Sequence, residues 1–226
     1  MSRPGVGCVV PVKPLGAALG RLSDVLDPER RRALQAAMLV DVLRACAGAG
    51  GVEEALVVSG DPEVARLAAA EGARVVPDHA PPRGMNAAVR LGTRALSAAG
   101  FEAALILVAD LPLARAADLE ALLAAAPPGP GATVAPSRDG TGTNALLVRP
   151  PEALDPRLGP DSLARHLAAA ARRSLAVVRV ERPALGLDID TAEDLGAYLA
   201  AAPPGVTREV CAGLELGERV AVGAPR

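Results

Sequence analysis

Short runs of β-branched and other apolar residues alternate along the chain with longer stretches rich in Ala and Leu. VGCVVPV at 6–12 predicts a buried strand, and 28–49 is helical in composition and spacing. The same reading gives strand at 55–58, helix at 62–71, strand at 74–76, helix at 87–99 and a buried strand, AALILV, at 103–108. Helix 116–125 follows, then a Pro/Gly turn at 127–131, strands at 133–135 and 145–148, helix 162–172 and strand 176–180. Residues 188–190 form a short extended piece, and Thr191 can cap a helix ending near 201. Strands alternating with helices of this length predict βαβ units, hence an α/β fold with a mostly parallel sheet. The domain spans 1–203, closed by Pro203-Pro204-Gly205; residues 204–226 are expected as an edge hairpin or a loose tail.

Composition narrows the class. At 226 residues the chain makes one large domain or two small ones, and 50% hydrophobic residues exclude a disordered chain. A net charge of −2 argues against a nucleic-acid coat or a polybasic membrane binder. No apolar run reaches the roughly 18–20 residues that cross a bilayer, and the apolar stretch before Lys13 is too short for a secretory signal. Cys8, Cys46 and Cys211 are odd in number and widely spaced, which fits neither a disulfide framework nor a zinc site. A cytoplasmic globular protein is the expectation. Of 24 basic residues 23 are Arg, the mark of a GC-rich genome. The survivors of that pressure, Lys13, Asn86 and Asn144, are therefore candidates for chemistry, against the alternative of retention by chance.

Ligands in open α/β sheets sit beyond the carboxyl ends of the strands, so the residues just after strands come first. Asp110 closes the AALILV strand, where a carboxylate suits Mg²⁺ with substrate phosphates; a turn aspartate is the plainer reading. Asp188 and Asp190 lie two apart in LDIDT and share one face of an extended segment. Two carboxylates there repel unless a cation or proton lies between them; the plainer alternative makes Asp190 a helix cap. With Asp110 they supply three hard oxygen donors, right for Mg²⁺ and wrong for zinc. PVKPLGAALGRL carries Lys13 and Arg21 in a Gly-containing loop fit for a polyphosphate, though a structural loop reads equally well. GTGTN at 140–144 is a Gly/Thr turn that could hold an anion or only close a hairpin. Gly159-Pro160-Asp161-Ser162 enters a helix with Ser162 as N-cap, a ready anion site or merely a cap. Asn86 can cap its helix or reach a nucleotide, while His79 and His166 are isolated and expected as non-ligands.

Taken together, PVKPLGAALGRL, GMNAAV, LILVADLPL, GTGTNALL, GPDS and LDIDTAEDL resemble, in order and spacing, the 2-phospho-L-lactate guanylyltransferases. Their bacterial relatives are the phosphoenolpyruvate guanylyltransferases of coenzyme F-420 biosynthesis. The resemblance covers about residues 6–201. It implies a single-domain, GT-A-like (Rossmann-like) nucleotidyltransferase that uses GTP and Mg²⁺, transfers GMP to a three-carbon phospho-acid and releases pyrophosphate. A bacterial source tilts the acceptor toward phosphoenolpyruvate over 2-phospho-L-lactate. By position, Asp110, Asp188 and Asp190 look like metal carboxylates, with Asp110 and Lys13 catalytic. Thr143, Gly159 and Ser162 look like phospho-acid contacts, and Lys13, Arg21 and Asn86 like nucleotide contacts. The family's second Lys, followed by Ser, is replaced here by Leu19 and Gly20, which leaves Arg21 to neutralise charge. A homodimer is the expected assembly. Rival readings are a molybdopterin or sugar-phosphate nucleotidyltransferase, whose Gly-rich loop is missing, and a non-catalytic nucleotide-binding regulator.

Overall fold

The computed structural model describes residues 3–78, 84–201 and 204–217, so His79 lies outside the described residues. Its strands are β1 (Arg3–Pro11), β2 (Val52–Ser59), β3 (Arg74–Pro77), β4 (Phe101–Leu107), β5 (Gly131–Pro136), β6 (Thr143–Arg149) and β7 (Ala176–Arg179). Its helices are α1 (Pro28–Gly48), α2 (Pro62–Ala70), α3 (Met85–Ala98), α4 (Ala116–Ala124), α5 (Ser162–Arg172), α6 (Pro183–Gly186), α7 (Ala192–Ala201) and α8 (Val206–Gly213). The strands form one sheet in the order β3-β2-β1-β4-β6-β5-β7. Pairs β1–β2, β2–β3, β1–β4 and β5–β7 are parallel, whereas β6 runs antiparallel to both β4 and β5. The mostly parallel α/β sheet is the architecture that the alternating pattern predicts.

Strand periodicity decides the layers. Cys8 and Val10 of β1, Leu105 and Leu107 of β4, and Ala145 and Leu147 of β6 bury against α1 and α4. Their neighbours point the other way: Val9 packs on α3, and Ile106, Leu146 and Val148 pack on α3 and α5. Helix α3 lies close on the sheet at Gly92, where a Cβ would come within 2.4 Å of Val9 Cγ1. Two chain reversals then build the site. The chain goes from β1 outward to β3 and returns to place β4 on the other flank of β1, a topological switch point. Because β6 is reversed, its first residues, Thr143 and Asn144, lie at the same edge as the carboxyl ends of β1 and β4.

Beyond Pro204 the expectation of a hairpin or loose tail is corrected for the described residues, which form α8. The Asp41 carboxylate on α1 accepts from Val206 N at 2.9 Å and Thr207 N at 2.8 Å, satisfying two helix-start donors. Cys211 and Leu216 complete an apolar cluster with Leu22, Leu26, Leu34, Met38 and Tyr198. That cluster backs the loop after β1, so the C-terminal segment is part of the domain's packing. Residues 218–226 of the expected tail lie outside the described residues. Among the described residues no helix is long and apolar enough to cross a membrane.

Candidate active site

A cavity of about 710 Å³ opens over the ends of β1, β4 and β6. Lys13, Arg21, Asp110, Thr143, Gly159, Ser162, Asp188 and Asp190 all line it. Residues up to 177 positions apart in sequence therefore meet at one sheet edge, because the fold puts strand ends and helix starts there.

The wall after β1 is a loop. Gln35 of α1 holds it, accepting from Gly16 N at 3.0 Å and donating to the Lys13 carbonyl at 3.1 Å. Asp61 accepts from Leu15 N at 2.8 Å. Leu19 has φ 61° and is buried beside Leu22, Met38 and Ile189. Burying a leucine is worth about 1.5–3 kcal/mol, enough to offset the roughly 1–2 kcal/mol of a left-handed backbone. Leu19 thus anchors the loop, and the short 3-10 turn Gly20–Leu22 that follows turns Arg21 toward Asp190, Nη1 to Oδ2 at 3.7 Å.

The carboxylates sit at the centre. Asp110 follows β4, and its carbonyl accepts from Ile189 N at 3.1 Å, which brings Asp188 and Asp190 alongside it. Burial, then the charges of Asp188 and Asp190, push the Asp110 carboxyl up to about 7, opposed in part by Lys13. Its Oδ1 is buried without a hydrogen-bond partner. Burial also raises Asp188, opposed by Asn144, whose Nδ2 donates to it at 3.1 Å and to the Leu185 and Gly186 carbonyls. The reading of Asp190 as a mere cap is replaced: Thr191 caps α7, exchanging hydrogen bonds with Asp194. Among the described residues no three acidic, His or Cys side chains converge closely enough to hold a metal by themselves. Asp110, Asp188 and Asp190 face one cavity without closing on one another; Asn144 donates to Asp188, and Arg21 pairs with Asp190. Asp110, Asp139, Asp161, Asp188, Asp190 and Asp194 line the cavity against Lys13, Arg21 and Arg138, six carboxyl groups to three cations.

The far wall comes from the β5–β6 turn and the start of α5. Gly159 has φ +113°, a conformation that favours glycine. Ser162 is the first helical residue, one place inside the N-cap expected of it; the cap is Asp161, left-handed at φ 53°. Asn86 does not cap α3, whose N-cap is Gly84; its amide clamps Leu158, accepting from Leu158 N at 2.7 Å and donating to Leu158 O at 3.0 Å. Asp139 ties the β5–β6 turn, accepting from Ser137 Oγ at 2.5 Å and from Thr141 N and Oγ1. Those bonds lower its carboxyl to about 2.

Sequence reasoning missed Gln35 and Arg138 and set His166 aside as isolated. Gln35 carried a signal, being the sole glutamine of the chain. Both asparagines and the glutamine prove to be amide clamps on segments that shape the cavity: Gln35 and Asn86 each donate and accept on one planar group, and Asn144 donates through its Nδ2.

Comparison with known proteins gives a consistent assignment. The model of the family described as "Guanylyl transferase CofC like" matches residues 6–211. A phosphoenolpyruvate guanylyltransferase of Rubrobacter xylanophilus is 47% identical over 193 residues, 84% of this chain and 91% of that protein. Another, from Sphaerobacter thermophilus, is 40% identical over 201 residues, covering 89% and 96%. In fold, the chain is similar to a nucleotidyl transferase of Methanothermobacter, with TM-score 0.67 at 21% identity, covering 84% of this chain and 94% of that one.

Proposed function

The chain belongs to the family of CofC-like guanylyl transferases, and on that premise we propose that it transfers the guanylyl group of GTP to phosphoenolpyruvate and releases pyrophosphate. The observation that carries the assignment of the site is the order of strand ends at the cavity. β4 with Asp110 stands between β1, which leads to Lys13, and β6, which begins at Thr143. Lys13 and Arg21 are thus offered on one side for a triphosphate, and the Thr143 and Ser162 hydroxyls on the other, beside an Arg138 already paired with Asp194, for a phospho-acid.

The chemistry is an in-line displacement. A phosphate oxygen of phosphoenolpyruvate bonds to the α-phosphorus of GTP. The bond from that phosphorus to the oxygen leading to the β-phosphate breaks, and pyrophosphate leaves with the electron pair. A phosphate monoester with a second pKa of about 6 is largely ionised at neutral pH, so the attack needs no general base. Positioning carries much of the rate, since aligned reactants avoid an entropic cost worth roughly 7–11 kcal/mol. Lys13 stands where it can neutralise charge gathering on the leaving pyrophosphate, and Arg21 adds a second cation nearby.

The acidic lining supports a requirement for Mg²⁺. Six carboxylates against three cations repel a nucleoside triphosphate, and the unpartnered Asp110 Oδ1 is a hard donor. Asp110, Asp188 and Asp190 are the residues that would hold the ion. When bound, it supplies neutralisation of the phosphate oxygens. Pyrophosphate release from GTP with Mg²⁺ is the test: release should depend on phosphoenolpyruvate, and release with a sugar phosphate in its place overturns the assignment.

A further inference from the structure

His166 stands alone in the sequence, yet on α5 its ring lies 2% exposed between the two segments of the far wall. Its Nδ1 is 3.0 Å from Thr143 Oγ1, and its Nε2 accepts from Arg157 N at 2.9 Å. We propose that His166 is a positioning residue for the acceptor pocket: as the Nδ1–H tautomer it donates to Thr143 Oγ1, leaving the Thr143 hydroxyl to donate its own proton to the phospho-acid. The proposal rests on the reading above that Thr143 touches that substrate.

The backbone fixes the tautomer. An amide N–H can only donate, so Nε2 must be bare, and the one proton of a neutral ring then sits on Nδ1. The opposite tautomer, or a protonated ring, would set N–H against N–H at Arg157. Burial and the neighbouring Arg165 and Arg157 keep the ring neutral, lowering it to about 4. Thr143 therefore receives a hydrogen bond at its oxygen, and its proton is available on the cavity side. A neutral, aimed donor discriminates by the position of an acceptor atom, which a cation cannot do as sharply.

The same ring also ties the two segments of this wall together. It binds Arg157, the next residue is held by Asn86, and Arg165 Nη2 donates to the Arg157 carbonyl at 2.5 Å and the Leu158 carbonyl at 3.1 Å. Gly159 follows directly. One imidazole thus spans Thr143 at the start of β6 and the segment that delivers Gly159 and Ser162.

Nitrogen-15 NMR of the wild-type ring needs no variant, and the proposal requires a pyrrole-type Nδ1 and a pyridine-type Nε2; the reverse pattern overturns it. Steady-state kinetics supply the second arm. His166→Gln and His166→Phe should each raise the KM for phosphoenolpyruvate by roughly tenfold to a hundredfold, the worth of a hydrogen bond to a charged group, with the KM for GTP unchanged. In a Thr143→Val background the same changes should add less than about threefold, because the partner is already gone. Equal effects in both backgrounds, or an equal rise in both KM values, overturn the positioning role. Should Thr143→Val leave the phosphoenolpyruvate KM at its wild-type value, the assignment of the pocket itself fails instead.

Discussion

On the β1 side of the cavity the charged groups stand largely in solvent, on a loop gripped through its backbone: Arg21 is 75% exposed, and Gln35 and Asp61 hold Lys13, Leu15 and Gly16 by main-chain atoms. On the far side Thr143, Ser162 and His166 are 4%, 2% and 2% exposed, and the Thr143 and His166 side chains are themselves the clamp. Charge acts over several ångströms and tolerates a long side chain, so a wall of exposed cations needs only a well-placed loop. A neutral hydrogen bond depends on direction, and the far wall is built from buried groups that fix one another.

Changes at the centre should strike both walls at once. Asp110→Asn is expected to lower kcat at least about a hundredfold, the loss of roughly 2.7 kcal/mol from the transition state, with a Tm equal to or above wild type because a costly buried charge is removed. Turnover near normal, measured with Mg²⁺, would break the idea that both walls serve one reaction. On the charged wall, Lys13→Ala should lower kcat more than tenfold while the KM for GTP rises less, since only differential stabilisation speeds chemistry. Lys13→Arg should rescue this partly; full rescue would make retention by chance the better account of the sole lysine.

The buried wall carries a pH signature. The folded-state value of His166, about 4, lies below its ordinary 6.5, so the unfolded chain binds a proton that the folded chain refuses. Its contribution is whole above about pH 6.5 and is lost as pH falls toward 4, with an upper limit of roughly 3 kcal/mol. Denaturant titrations should show a steeper loss in that window for wild type than for His166→Gln, and parallel curves would refute a neutral ring. The smallest effect belongs to Arg21→Ala. Its exposed ion pair with Asp190 predicts a change within about fivefold in kcat/KM for GTP, shrinking further at high salt. A larger loss would mean that this wall, too, depends on fixed geometry.

Much of this contrast follows what sequence can carry. Asp110 and the Asp188–Asp190 pair stand out because a carboxylate ending an apolar strand breaks a pattern that spans only a few residues. The direction of β6 leaves no such trace, since a strand's hydrophobic run reads the same both ways, yet that reversal puts Thr143 at the cavity. His166 was illegible for another reason: its partner Thr143 is 23 residues away and Arg157 contributes only a backbone N–H. Compositional pressure marked Lys13, Asn86 and Asn144, but not their tasks; Asn86 clamps Leu158, a partner 72 positions away. α8 escaped because Pro203-Pro204-Gly205 signals an ending, whereas Asp41, more than 160 positions earlier, caps a further helix.

The central claim is that an acceptor held at the Thr143 wall attacks the α-phosphorus of a GTP whose pyrophosphate leaves toward Lys13. Mass spectrometry of the products from phosphoenolpyruvate labelled with oxygen-18 in its phosphate tests it most directly. The account predicts a guanosine diphosphate ester of enolpyruvate that keeps every labelled oxygen, beside unlabelled pyrophosphate. Label in pyrophosphate or in inorganic phosphate, or no guanylated ester at all, would contradict it.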